Sequence, residues 1–333
     1  MASLEDSLDD QNSMANGEDI SLYFTGTHEV QECLEGQCEI DLHTHVTNCK
    51  KNPGHKDFVP LNQLNVEHFL GYQDNDVYDL TKAIADLTVR IAVKFTSPDR
   101  PDFAPGSEDP YPCYNTRGQN SLRTGTGRVC QVTKYTEGMY GHRTCPCPEC
   151  DHSDTPSKVW WEVGVWTATH VVFDESEARQ SSCRLWFDDD KSPVVKICGW
   201  KVGGSYIDRD WCRFYCVTHD VDVADKLEEM VRQFNVLRDK VSDKYKSRGD
   251  VDKLTIIVSH PHGCSKQVSV GHWVDRQVVR QDGTRYTYTT STCPGSSGAV
   301  VYRLGCYWSF GHPHSGANSG GLNYSGVWVD RDL

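Results

Sequence analysis

No lysine or arginine occurs before Lys50, although the first 49 residues hold eleven Asp or Glu. The formal net charge of -13 therefore belongs mostly to this leader, and the rest of the chain is nearly balanced. A basic arm or basic cluster is missing, which argues against nucleic-acid binding. The opening "MASLEDSLDDQNSMANGEDISLYF" lacks the positive start and apolar stretch of a secretory signal. Long hydrophobic runs are missing as well, so no bilayer-spanning segment is expected. These absences point to a cytoplasmic protein without a membrane or nucleic-acid partner. Internal repeats and low-complexity tracts, the leader aside, are also lacking.

What the chain has in plenty is cysteine, fifteen residues and an odd number. Inside a reducing compartment these read as thiols or metal ligands rather than disulfides. "YGHRTCPCPECDHSD" gathers Cys145, Cys147, Cys150 and His152, with His142 ahead of them. Zinc takes four soft or borderline ligands held tetrahedrally, and the Cys147-x-x-Cys150 pair suits it. A structural zinc on Cys145, Cys147, Cys150 and His152, or His142 in its place, is the expectation, with free loop thiols or a disulfide as the alternatives. A weaker set is Cys33, Cys38, His45 and Cys49.

Residues 1–25 read as a disordered acidic leader, because repelling charges have little to bury. Residues 26–88 form a Cys/His-containing extension. Within it, Val77, Leu80, Ile84 and Leu87 recur at helical spacing and predict a helix. From residue 89 to 333 short apolar runs alternate with Gly, Pro and Asp turns, as in "GRVCQV", "VWTATHVVF", "RFYCVTH" and "LTIIVSH". Such a pattern predicts many short strands. One interruption, Val223 to Lys244, carries Leu227, Met230, Val231, Phe234, Leu237 and Val241 at three- and four-residue spacing, an amphipathic helix. Its outer face could serve as scaffold or as a surface for a protein partner.

"TCPGSSGAVV" sets Ser297 between glycines just ahead of an apolar run. Such glycines serve either a tight turn or close backbone approach to a reacting group. A serine nucleophile needs a histidine base and an acid that orients it. "TATH" ends on His170, and "HDVDV" supplies Asp220, with Asp222 as a rival two residues on.

Read in order, "TATH", "HDVDV" and "GSSG" resemble the chymotrypsin/trypsin-like serine peptidases, in their non-secreted, HtrA-like or viral-protease-like branch. "GTGRV", "VSHPHG" and "KQVSVG" add to the resemblance, which covers roughly residues 89 to 329. It implies an all-β, chymotrypsin-like double β-barrel with a helical insertion and an N-terminal extension. It also implies a serine endopeptidase acting on protein or peptide through His170, Asp220 and Ser297 and an acyl-enzyme. Gly295 and Ser297 would supply the oxyanion-hole amides. Family position, not spacing, favours Asp220 over Asp222. Ser291 would sit at the base of the specificity pocket. His314, or its neighbour His312, would read an acidic, glutamine or aromatic side chain.

Ser296 stands where secreted members have an acid that receives a freed N-terminus, so proteolytic activation is not expected. No cofactor is required for this chemistry. A lipase or esterase on an α/β-hydrolase sheet is excluded by order, since its histidine follows the nucleophile. The competing reading is a catalytically inactive protease-fold binding or scaffold protein.

Overall fold

The computed structural model describes residues 26–33, 42–138, 144–248, 251–279, 283–306 and 311–329. The expected leader 1–25, and Cys38 and His142, lie outside these residues.

Sixteen strands and five helices occur among the described residues. The strands are β1 (Thr27–His28), β2 (Gln31–Cys33), β3 (Val59–Pro60), β4 (Thr88–Val93), β5 (Leu122–Thr136), β6 (Val159–Thr167), β7 (Ser181–Leu185) and β8 (Val195–Tyr206). They continue with β9 (Trp211–Thr218), β10 (Leu254–Ser259), β11 (Gln267–Val279), β12 (Gly283–Tyr288), β13 (Val301–Arg303), β14 (His314–Ala317), β15 (Asn323–Ser325) and β16 (Trp328–Val329). The helices are α1 (Leu42–Thr47), α2 (Asn75–Leu87), α3 (Pro148–Asp151), α4 (Glu175–Arg179) and α5 (Val221–Tyr245).

Two antiparallel sheets result. One runs β2-β5-β4-β7-β8-β9-β6, and long β5 also pairs with β6. The other runs β1-β14-β15-β12-β11-β10-β13, with β16 on β12 and β3 on β11. The segment ahead of α2 is woven into both: β1 and β3 join the second sheet and β2 joins the first.

The expected all-β double β-barrel is not what forms. The architecture is mixed, with 26% helix and 37% strand among the described residues, and the two sheets are not a pair of closed barrels. Both helices expected from their spacing form, and they take a larger share of the core than an all-β class allows. Helix α2 buries Val77, Leu80, Ile84 and Leu87. Helix α5 runs for 25 residues and buries Ala224, Leu227, Phe234, Val241 and Tyr245, one stripe at helical spacing. Lys240 and Lys244 of α5 reach Asp76 and Asp74 at the start of α2, both at 2.7 Å. One apolar cluster then joins the helices to both sheets, from Leu80 and Phe234 through Ile91, Val163 and Phe214 to Ile256 and Val300. No helix among the described residues is long and apolar enough to cross a membrane.

Candidate active site

Strand β6 reads "VWWEVGVWT", and all but its first and eighth residues are buried. Its burial drives the chain into the "ATH" turn beyond, where His170 is wholly buried. Arg100 holds that turn: its Nη2 donates to the His170 carbonyl at 3.1 Å. Arg100 in turn grips Glu177 through Nε at 2.7 Å and Nη2 at 2.8 Å, and Arg123 donates to the same carboxylate. The backbone amides of Ser97 and Phe173 complete the set at 2.9 and 2.8 Å. Burial works against the Glu177 charge, but Arg123 and Arg100 outweigh it and hold its pKa below the ordinary value. This buried group fixes the backbone carrying His170.

The acid that meets His170 is Asp210. His170 Nδ1 lies 2.8 Å from Asp210 Oδ2, and the His170 amide donates to Oδ1 at 3.0 Å. Ser315 donates its hydroxyl to the same carboxylate. Asp210 occupies the turn between β8 and β9 with φ of 49°, a left-handed conformation that Asp tolerates better than most residues. Burial opposes its ionisation, but His170 foremost, then His28 and the hydrogen bonds, bring its pKa down to about 2. Asp220 is elsewhere in role. Its side chain accepts from Val223 N at 3.1 Å and caps α5. An Asp ahead of an apolar helical repeat is an N-cap signal, and this local use competes with the orienting role expected of it.

The Ser297 loop is pinned on every side. Ser296 N donates to Cys293 O at 2.8 Å, and Thr126 N to Ser297 O at 2.8 Å. Thr126 Oγ1 donates to Gly295 O at 2.8 Å, and Gly298 N to His314 O at 2.8 Å. Ser296 is buried, its hydroxyl 3.0 Å from that of Ser259. Gly295 (φ 94°) and Gly298 (φ 85°) need the left-handed region. A Cβ on Gly298 would come within 2.1 Å of Thr167 Oγ1 and 2.2 Å of Thr126 O, so a second reason for glycine is close approach.

An internal segment lies across Ser297. Its hydroxyl donates to the carbonyl of Glu29, whose oxygen also sits 3.2 Å from His170 Nε2. Ahead of Glu29, β1 pairs with β14, and Glu29 N donates to Ser315 O at 3.2 Å. Beyond it, β2 pairs with β5. The Glu29 carboxylate enters a pocket formed by His314 Nε2 at 3.0 Å, Thr292 Oγ1 at 3.3 Å and the ammonium of Lys51. Burial would raise its pKa, but the His314 contact first, then Lys51, depress it to about 2. His314 itself is pushed down by burial, more than Glu29 pulls it up. His314 bridges two neighbours: its Nε2 faces the Glu29 carboxylate, and its Nδ1 lies 2.6 Å from Tyr288 Oη, which donates to Tyr324 O at 3.2 Å.

Two further candidates lie off this pocket. Ser291 Oγ pairs with Asp57 at 3.3 Å. His312 faces Thr284, with Nε2 3.0 Å from Oγ1.

The cysteine-rich loop closes on a different histidine from the expected one. Cys145, Cys147 and Cys150, all buried, converge with His219, while His152 is exposed. His219 Nδ1 stands 3.5 Å from Cys147 Sγ and 3.6 Å from Cys150 Sγ. His219 follows β9, sixty-nine residues from Cys150 in sequence, so only folding joins them. Three thiols and an imidazole at these separations can hold a metal ion. The described ligand sets differ from the weaker sequence grouping too, since Cys49 clusters with His55, His262 and Cys293.

Sequence reasoning missed Asp210, Glu29, Lys51, Glu177 and His219. Only Asp210 left a trace, as an acid in the turn "YIDRDW" between two apolar runs.

Neither a family model nor a curated protein matches the chain. Solved structures similar to it include an HtrA-type protease, AlgW, with a tripeptide, at 10% identity and a TM-score of 0.38. That alignment covers 77% of this chain and 60% of that one. The Rv3671c protease in an inactive form is similar at 11% identity and a TM-score of 0.35, covering 74% of this chain and 86% of that one. Likeness this distant carries no argument by itself, and the functional reading rests on the site.

Proposed function

We propose that the chain is a serine endopeptidase that cleaves after glutamate, with Ser297 as nucleophile, His170 as general base and Asp210 as its orienting acid. The observation that carries this reading is Glu29. Its carbonyl lies on Ser297 and His170, its side chain fills the His314 pocket, and the chain on both sides is held as added strands.

In this reading Ser297 Oγ bonds to the substrate carbonyl carbon while His170 Nε2 takes its proton. Asp210 keeps the Nδ1 proton in place and stabilises the imidazolium. The carbonyl oxygen becomes an oxyanion, for which the Gly295 and Ser297 amides are the candidate donors. Collapse breaks the C–N bond as His170 returns the proton to the leaving amine. Water then repeats the sequence on the acyl-enzyme. The acidic specificity follows from charge and hydrogen bonding: the Lys51 ammonium offsets the carboxylate, and His314 Nε2 and Thr292 Oγ1 lie within reach of it. Ser291 is not needed for this recognition.

Cys145, Cys147, Cys150 and His219 are proposed to hold a structural zinc. Four protein ligands leave no open position, so the ion would brace the loop against the end of β9 and take no part in hydrolysis.

The competing reading, a non-catalytic module with its own strand fixed in the cleft, draws on the Glu29 oxygen accepting from Ser297 Oγ. Active-site labelling with a fluorophosphonate, together with turnover of peptides carrying Glu, Gln, Phe or Lys before the scissile bond, separates the two. The peptidase reading expects labelling at Ser297 and turnover of the Glu peptide above the rest. Neither labelling nor turnover, with the N-terminal segment present or removed, would establish the binding module instead.

A further inference from the structure

Beside the nucleophile loop, Cys49, His55, His262 and Cys293 bring their ligand atoms within 4.8 Å of one another. Cys49 Sγ stands 3.6 Å from Cys293 Sγ, and His55 Nε2 stands 3.3 Å from Cys293 Sγ. Ligand atoms around a tetrahedral zinc, with bonds of about 2.3 Å to sulfur and about 2.0 Å to nitrogen, stand about 3.3–3.8 Å apart. These two separations match that spacing with no ion needed to draw them closer. We propose that these four residues hold a second structural zinc ion, one that clamps the nucleophile loop to the segment ahead of α2.

Three observations bear on the ligands. His262 is 4% exposed, and its Nε2 is buried without a hydrogen-bond partner. Its Nδ1 lies 2.8 Å from Gln31 Oε1, an acceptor, so Nδ1 carries the proton and the Nε2 lone pair is free to bind metal. A ligating histidine commonly gives its other N–H to an oxygen in this way. The sulfurs also have amide donors: Asn52 N lies 3.4 Å from Cys49 Sγ, and Asn52 Nδ2 lies 3.1 Å from Cys293 Sγ. Two thiolates and two neutral imidazoles cancel the charge of a divalent ion, which suits a buried position. Such a donor set favours zinc over the hard cations, and four protein ligands make the site structural.

The ion would act on the loop from both sides. Cys293 lies two residues before Gly295 in the chain. His262, in the turn facing it, donates its backbone amide to Pro294 O at 2.6 Å. A Cβ on Gly295 would meet His260 O at 2.6 Å and the amides of His262 and Gly263 at 2.8 Å, so turn and loop are already in contact. Fixing Cys293 and His262 to one ion sets the backbone around Gly295 from both sides. The site also reaches the bound segment, through the Gln31 contact of His262. It does not depend on the peptidase reading.

The test is the metal content of the full chain, expressed without a histidine tag and purified without chelator, beside Cys49→Ser, His55→Ala and His219→Ala. His55 and Cys49 are half-buried, which favours folding of their variants. Cys49→Ser and His55→Ala should each carry about one zinc fewer than the wild type, the occupancy of one site. The His219→Ala chain should retain an ion and, with cobalt in place of zinc, give a thiolate charge-transfer band of a tetrahedral site. Chelation of that variant should lower its melting temperature. Equal zinc in the wild type and the Cys49 and His55 variants would overturn the clamp. So would a metal-free His219→Ala chain, or a Cys49–Cys293 disulfide in a non-reducing peptide map. Absence of peptide turnover in a wild type that carries both ions would count against the peptidase reading and leave the clamp standing.

Discussion

His170 Nδ1 and Asp210 Oδ2 are 2.8 Å apart, a contact between the end of one strand and a tight turn forty residues on. Asp210→Asn should cut kcat by about ten-thousandfold, because the amide stabilises the wrong histidine tautomer. Asp220→Ala should leave kcat near the parent value and cost about 1 kcal/mol of stability through the lost helix cap. Kinetics and thermal melts on the two variants decide it. The reverse ranking of activities would return the orienting role to Asp220.

Ser297→Ala should abolish peptide hydrolysis and leave the fold intact, since loss of a triad member costs several orders of magnitude in rate. Intact mass of the same two proteins tests the bound segment. The parent should slowly lose residues 1–29, giving a chain that begins at Val30, while Ser297→Ala stays whole. Turnover of a Glu peptide by a parent that never clips itself would mean that Glu29 is an inhibitory strap rather than a substrate. Prior removal of the segment should then speed turnover.

Docking of Glu29 should fail in acid. Its folded pKa is depressed to about 2 from an ordinary 4.5, so its contribution is complete above the ordinary value. That contribution is lost as pH falls from about 4.5 towards 2, where the unfolded chain binds the extra proton. Asp210, also held at about 2, loses its contribution over a similar window. Thermal melts from pH 6 to pH 2 should therefore fall for the parent, and fall less for Glu29→Gln. Identical pH profiles would show that the carboxylate is not held by His314 and Lys51.

Glu177→Ala should destabilise the fold by about 3–5 kcal/mol, since it strands two buried arginines. Arg100 carries the His170 carbonyl, so activity should fall with it even in protein that remains folded at low temperature. Denaturant unfolding gives the first quantity and active-site titration of the folded fraction the second. A change below about 1 kcal/mol, the range of an exposed pair, would remove Glu177 from the frame of the site.

His219→Ala and His152→Ala should part in metal content. The first should release the ion bound at Cys145, Cys147 and Cys150, while the second should keep it, because His152 is exposed and apart from the cluster. Zinc measured per chain by mass spectrometry of the metal is the check.

Local chemistry was legible in the sequence. The apolar run of β6, the glycines around Ser297, the helical stripe of α5 and the Cys147-x-x-Cys150 pair each express a rule acting over a few residues. The sequence also pointed to His170 and Ser297, which the fold brings to one carbonyl oxygen. Which acid would orient the histidine was not legible, because Asp210 and Asp220 both follow apolar runs and only the β8–β9 turn puts one of them against the imidazole. The same holds for His219 over His152, where a nearer residue in sequence is the farther one in space. Glu29 gave no signal at all: one acid among eleven in the cation-free first 49 residues, it becomes distinctive only when two strands hold its backbone across Ser297. The architecture went astray for a related reason. Short apolar runs predict strands, but whether sheets close, and how much helix packs against them, is decided by the shared core that joins Leu80 and Phe234 to both sheets.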